Sequence, residues 1–106
     1  MIEKVLDFPN KAAEKDFESL PQKQRIAFLT ELLLVLRGEK PEMPFEHISG
    51  TKGIIELKIN GSPAWRCLYY NKDPEKVWVL HTFKKTTNGA DTKNINLANK
   101  RLKLIS

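Results

Sequence analysis

Apolar residues recur at three- and four-residue spacing in the first third of the chain and alternate with polar ones beyond residue 53. Ile26, Leu29, Leu33 and Leu36 define a helical stripe, widened by Phe28 and Leu32. They predict a helix that opens at Pro21, where a missing N–H costs nothing, and ends at Arg37. Gly38 follows as a natural C′ residue. A shorter helix, Lys11 to Ser19, is predicted behind Asn10 as N-cap, with Phe17 and Leu20 as its thin apolar face. The two pieces read as a helical hairpin. Ahead of them, Ile2 to Phe8 reads as a short strand of imperfect alternation.

Residues 39–52 hold Pro41, Pro44, Gly50 and several charges, and read as a loop. Alternation then begins. Ile55, Leu57 and Ile59 point one way, Glu56 and Lys58 the other. Asn60-Gly61 is a hairpin signal. Trp65, Cys67 and Tyr69 alternate with Arg66, Leu68 and Tyr70, and Asn71 to Glu75 form a second turn. Val77 to Lys85 is a third run. These strands are expected to form an antiparallel meander that breaks at Asn88-Gly89. A final helix, Asp91 to Leu104, carries Ile95, Ala98 and Leu102 in register, with Asp91 or Thr92 as its cap. Helices followed by strands imply an α+β layer arrangement. The hairpin is expected on one sheet face, with polar side chains left open on the other.

The chain's 106 residues make one domain, 1–106. A hydrophobic fraction of 41% and a charged fraction of 29% suit a soluble globular domain. No apolar run approaches the roughly 18 residues of a membrane span. The first residues lack a signal-peptide pattern, so a cytoplasmic protein is expected. A single cysteine excludes an internal disulfide and a Cys-based zinc site. The charge is polarised: residues 1–50 sum to −2 and residues 51–106 to +7. Such a field attracts polyanions to one side, and nucleic acid is the commonest of these.

Strand alternation gathers the candidate chemistry. If Ile55, Leu57, Ile59, Trp65, Cys67 and Tyr69 face the helices, then Glu56, Lys58, Arg66 and Tyr70 share the other face. The third strand is ambiguous. One parity adds Val79, His81, Phe83 and Lys85 to that face; the other adds Lys84 and buries His81. The first gathers three cations, an imidazole, a phenol and a carboxylate, a set competent for RNA phosphodiester cleavage. A base takes the 2′-hydroxyl proton, an acid protonates the leaving 5′-oxygen, and fixed cations stabilise the phosphorane. Arg66 can grip phosphate with two N–H groups, while Lys58 and Lys85 act as point charges. His81 titrates near neutrality. No carboxylate or His/Cys spacing suggests a metal, and no cofactor is expected. Plainer readings stand beside these: a core histidine at 81, a solvated strand end at Lys84-Lys85, an Arg66–Glu56 structural ion pair, packing roles for Trp65, Tyr69 and Tyr70, and inert burial for Cys67.

Four segments carry a family resemblance: Gly53-Ile-Ile-Glu-Leu-Lys58, Trp65-Arg66-Cys-Leu-Tyr-Tyr70, Val79-Leu-His-Thr-Phe-Lys-Lys-Thr86 and Ile95-x-x-Ala98-x-x-Arg101. Together they resemble the phage-derived, HigB-like branch of the RelE/ParE toxin superfamily. Lys58 stands where that branch reads arginine, Asn94 replaces a glutamate, and 87–91 replaces Lys-Thr-Pro. The resemblance implies a RelE-like α+β fold over the whole chain and the role of toxin in a type II toxin–antitoxin system. It further implies metal-independent, ribosome-dependent mRNA cleavage that inhibits translation, and neutralisation by a helix-turn-helix antitoxin. Position by position it implies Lys58, Arg66, His81 and Lys85 as catalytic. Lys84 and Tyr70 follow as RNA contacts, as do Lys93 and Arg101 on the last helix. The alternatives are a ParE-like gyrase inhibitor and an inactive phage-derived RNA- or partner-binding protein.

Overall fold

A computed structural model describes residues 3–86, 89 and 91–105. The order is β1 (Val5–Asp7), α1 (Lys11–Glu18), α2 (Gln22–Leu36), β2 (Phe45–His47), β3 (Ile54–Ile59), β4 (Ala64–Tyr70), β5 (Lys76–Lys85) and α3 (Thr92–Lys103). The fold is α+β: three helices pack on a five-stranded mixed sheet of order β1-β5-β4-β3-β2.

The helix ends follow their sequence signals. Asn10 Oδ1 accepts from the Ala13 N–H at 2.9 Å and opens α1. Gly38, at φ 81°, takes the left-handed conformation that closes α2. The expected stripe on α2 is corrected. Phe28, Leu32, Val35 and Leu36 are buried, while Ile26 and Leu33 are 53% and 44% exposed and Leu29 sits at the surface with them. The helix is apolar on so much of its circumference that two sets at three- and four-residue spacing coexist, and contact with the sheet selects between them. Burying Phe28 or Leu32 contributes roughly 1.5–3 kcal/mol each.

The meander of β3, β4 and β5 forms as expected, but both edges of the sheet differ. β1 joins β5 in parallel, Leu6 opposite Val77, so the sheet is mixed. Three residues are too few to display alternation; Ile2 lies outside the described residues. β2 arises inside the expected loop and pairs antiparallel with β3. It is anchored from the hairpin. Buried Glu31 accepts from the Glu42 and Met43 N–H groups at 2.6 and 2.8 Å, which fixes the chain entering β2. The expected break at Asn88-Gly89 falls on positions of which 87, 88 and 90 lie outside the described residues.

The sheet is covered on both faces. Ile55, Leu57, Cys67, Tyr69, Val77 and Val79 pack with α1 and α2 in one core. Ile54, Leu68 and Leu80 pack with Ala98 and Leu102 of α3 in a second. The face expected to lie open is thus roofed over part of its length by α3. A register irregularity between Leu68 and Tyr69 lets β5 serve both cores. Leu68 lies opposite His81 but Tyr69 opposite Val79, which leaves Leu80 as the extra residue. Val79 therefore joins the hairpin core, whereas His81, Phe83 and Lys85 keep the other face. Neither single parity for the third strand describes it.

Candidate functional site

Where α3 ends its cover, a cavity of about 460 Å³ opens on the sheet. Glu56 and Lys58 of β3, Arg66 of β4 and Lys85 of β5 line it, with Glu46 of β2 and Asp91 and Ile95 at the start of α3. Pairing puts these side chains together. Lys58 lies directly opposite Arg66, and Glu46 directly opposite Glu56. Like charges opposed across strands destabilise a sheet. Here each pair compensates the other: Lys58 Nζ reaches Glu46 at 2.6 Å, and Arg66 Nε lies 3.8 Å from Glu56 Oε2.

Arg66 is rigidly held. Its Nη1 donates to the carbonyls of Ile59 and Trp65 at 3.3 and 3.0 Å, and its side chain is 9% exposed. Lys85 has no carboxylate partner among the described residues; its Nζ donates to the Gly89 carbonyl at 2.7 Å. Glu56 is half-buried. Burial raises its pKa above the usual carboxylate range, only partly opposed by Arg66, Lys58 and Lys85. Glu46 is exposed, and the hydrogen bond from Lys58 lowers its pKa. A half-buried carboxylate whose pKa is raised, set among three cations, is an arrangement that suits a general base at a phosphate. Glu56 is legible in the sequence as the carboxylate of the shared face and as an ion-pair partner for Arg66; its burial, and with it the raised pKa, is not.

The other candidate positions separate from this cavity. His81 is 6% exposed and buried beneath α3. Its Nε2 carries a proton toward Asn94, while Nδ1 faces both Arg101 and Asp16 Oδ2, the latter 3.4 Å away. The Asn94 amide nitrogen donates to Asp91 Oδ2 at 2.7 Å, leaving Asn94 Oδ1 to accept from His81 Nε2 at 2.6 Å. Arg101 Nη1 approaches His81 Nδ1 at 3.3 Å. Burial lowers the His81 pKa, in keeping with a neutral ring. Arg101 is also buried, donating to Asp16 at 2.9 Å and to the Leu80 carbonyl at 3.0 Å. Placed so, His81 and Arg101 clamp α1, β5 and α3 together: His81 leaves the open wall expected of it, and Arg101, expected as an RNA contact on the last helix, turns inward. Tyr70 packs against the second core opposite Trp78. Lys84 pairs with Trp65 on the hairpin face, the opposite side from Lys85. Lys93 is exposed on the first turn of α3. Buried Cys67 has its thiol pKa pushed up by desolvation, an inert group.

Among the described residues no group of three or more His, Cys, Asp or Glu side chains could hold a metal ion. No described helix is long and apolar enough to cross a membrane.

The chain matches the family model described as phage derived protein Gp49-like (DUF891) over residues 15–103. It belongs to that family. No curated protein gives a significant match. The matched span of this Gp49-like protein starts inside α1 and ends with α3, so it contains every residue lining the cavity.

Proposed function

We propose that this Gp49-like protein is the toxin of a type II toxin–antitoxin pair, with a RelE-like fold, and that it cleaves mRNA on the ribosome. One observation carries the reading: Lys58 and Arg66 are set directly opposite each other, with Lys85 beside them, around the half-buried Glu56. In the free protein Glu46 and Glu56 offset the two opposed cations; a phosphate that displaces Glu46 from Lys58 takes over that pairing. Membership of a phage-derived family and the resemblance to RelE/ParE toxins support the same conclusion.

In the proposed step Glu56 takes the proton from a 2′-hydroxyl, and that oxygen forms a bond to the adjacent phosphorus. Arg66 and Lys58 stabilise the charge on the phosphorane oxygens. The P–O5′ bond breaks, and Lys85 gives the leaving oxygen its proton. The products are a 2′,3′-cyclic phosphate and a 5′-hydroxyl end. His81 positions α3 rather than touching the RNA. A helix-turn-helix antitoxin is the partner that silences the toxin, and the ribosome presents the message.

The test is induction of the protein followed by mapping of transcript ends. New 5′-hydroxyl ends within messages are expected. Glu56→Gln should lower their yield by about 10²–10⁴-fold, and Arg66→Ala and Lys85→Ala should relieve growth arrest with unchanged circular dichroism. Intact transcripts alongside gyrase–DNA cleavage complexes would instead identify a ParE-like gyrase inhibitor. Intact transcripts and normal growth would identify an inactive binding protein.

A further inference from the structure

A second concavity, of about 510 Å³, lies next to the first and is untouched by the mechanism above. The same two segments build both. Ile48 and Ser49, with Asp91 and Ile95, help line the first; Gly50 to Lys52, with Asn96, Asn99, Lys100, Leu102 and Lys103, line the second. The two are successive stretches of one cleft between the 48–52 segment and α3.

The chemistry of the second stretch is one-sided. Lys52, Lys100 and Lys103 border it, with the amides of Asn96 and Asn99 between them. All three lysines are exposed, and none is in an ion pair among the described residues. α3 contains no Asp or Glu, so nothing on the helix offsets them. From Ile95 to Lys103 the helix advances about 12 Å at about 1.5 Å per residue. That length accommodates three or so stacked nucleotides at about 3.4 Å per phosphate in one strand.

We infer that this cleft is a track for the RNA backbone: a strand engaged at Arg66 and Lys85 continues between the 48–52 segment and α3, with its phosphates on Lys52, Lys100 and Lys103. The inference rests on the functional reading above for the end where the strand is anchored. Asn96 and Asn99 supply neutral donors and acceptors between them. No aromatic side chain lines the stretch, so the contact is to backbone and independent of sequence. An acidic protein segment is the competing occupant. The uncompensated charge of Lys52, Lys100 and Lys103, continuous with a cavity where Lys58, Arg66 and Lys85 stand beside Glu46, Glu56 and Asp91, favours the nucleic acid.

The test uses the full chain and 2′-O-methyl oligouridylates of four and ten nucleotides, which bind but cannot be cleaved. Binding is followed by fluorescence anisotropy over a range of salt. For the ten-mer, the double variant K100Q/K103Q should raise Kd about tenfold and reduce the salt slope by about 1.4, at about 0.7 for each phosphate no longer neutralised. The four-mer, filled by the first cavity, should be unchanged. Equal weakening for both lengths, or none for the ten-mer, overturns the track. A glutamate decapeptide that competes as well as the ten-mer assigns the cleft to protein and overturns it too. Because no cleavage is read, length-dependent weakening without mRNA cutting in cells defeats the nuclease reading alone.

Discussion

Leu32 and Leu33 are chain neighbours with opposite surroundings: the first is fully buried and the second 44% exposed. Leu32→Ala should cost about 2–5 kcal/mol in urea unfolding, from forfeited transfer energy and the cavity left behind. Leu33→Ala should stay within about 0.5 kcal/mol. Hydropathy alone places Leu33 in the stripe, because the sequence records that a leucine is apolar and not which side of α2 the sheet will occupy. The same scale governs Glu46. It holds Lys58 at 2.6 Å from an exposed position and must release it before Lys58 can meet a phosphate. Glu46→Gln should therefore tighten oligonucleotide binding by about two- to fivefold, read by anisotropy, since exposed ion pairs are weakly held. Weaker binding would show that Glu46 orients Lys58 rather than competing for it.

At the scale of elements, the helices were legible because their ends carry chemistry of their own: the Asn10 amide, the left-handed Gly38 and the Asp91 carboxylate, whose Oδ1 accepts from the Asn94 N–H. The faces of β3 and β4 were legible for an equally local reason: Glu56, Lys58 and Arg66 interrupt the apolar residues at alternate positions. The grouping of Lys58, Arg66 and Lys85 follows from it. Three features lay outside local pattern. The extra residue at Leu80 resets alternation halfway along β5, so Val79 and His81 part company. β2 depends on Glu31, eleven residues before the first backbone N–H it holds. α3 folds back over the sheet and converts His81 and Arg101 from surface candidates into interior ties. An amphipathic helix announces that it needs a surface, but not which one.

Across the whole molecule, the ties at His81 couple stability to pH. Burial lowers its pKa below the ordinary value of 6.5, so the unfolded chain binds a proton where the folded one does not. Its stabilising contribution is therefore complete above pH 6.5 and is lost as the pH falls toward the lowered folded value. Urea unfolding midpoints should drop between pH 7 and pH 5.5, and His81→Gln should flatten that slope whatever it does to stability at pH 7. An equally steep slope in the variant would assign the effect to other groups. The strand that carries His81 is the last of the five in sequence, yet it lies inside the sheet between β1 and β4 and supplies Val77 and Val79 to one core and Leu80 to the other. During synthesis, then, neither hydrophobic layer can close while the chain is shorter than about its first 85 residues. The helical hairpin, made early, finds part of its cover in Ile55, Leu57, Cys67 and Tyr69, but Val77 and Val79 complete that layer only when β5 takes its place between β1 and β4.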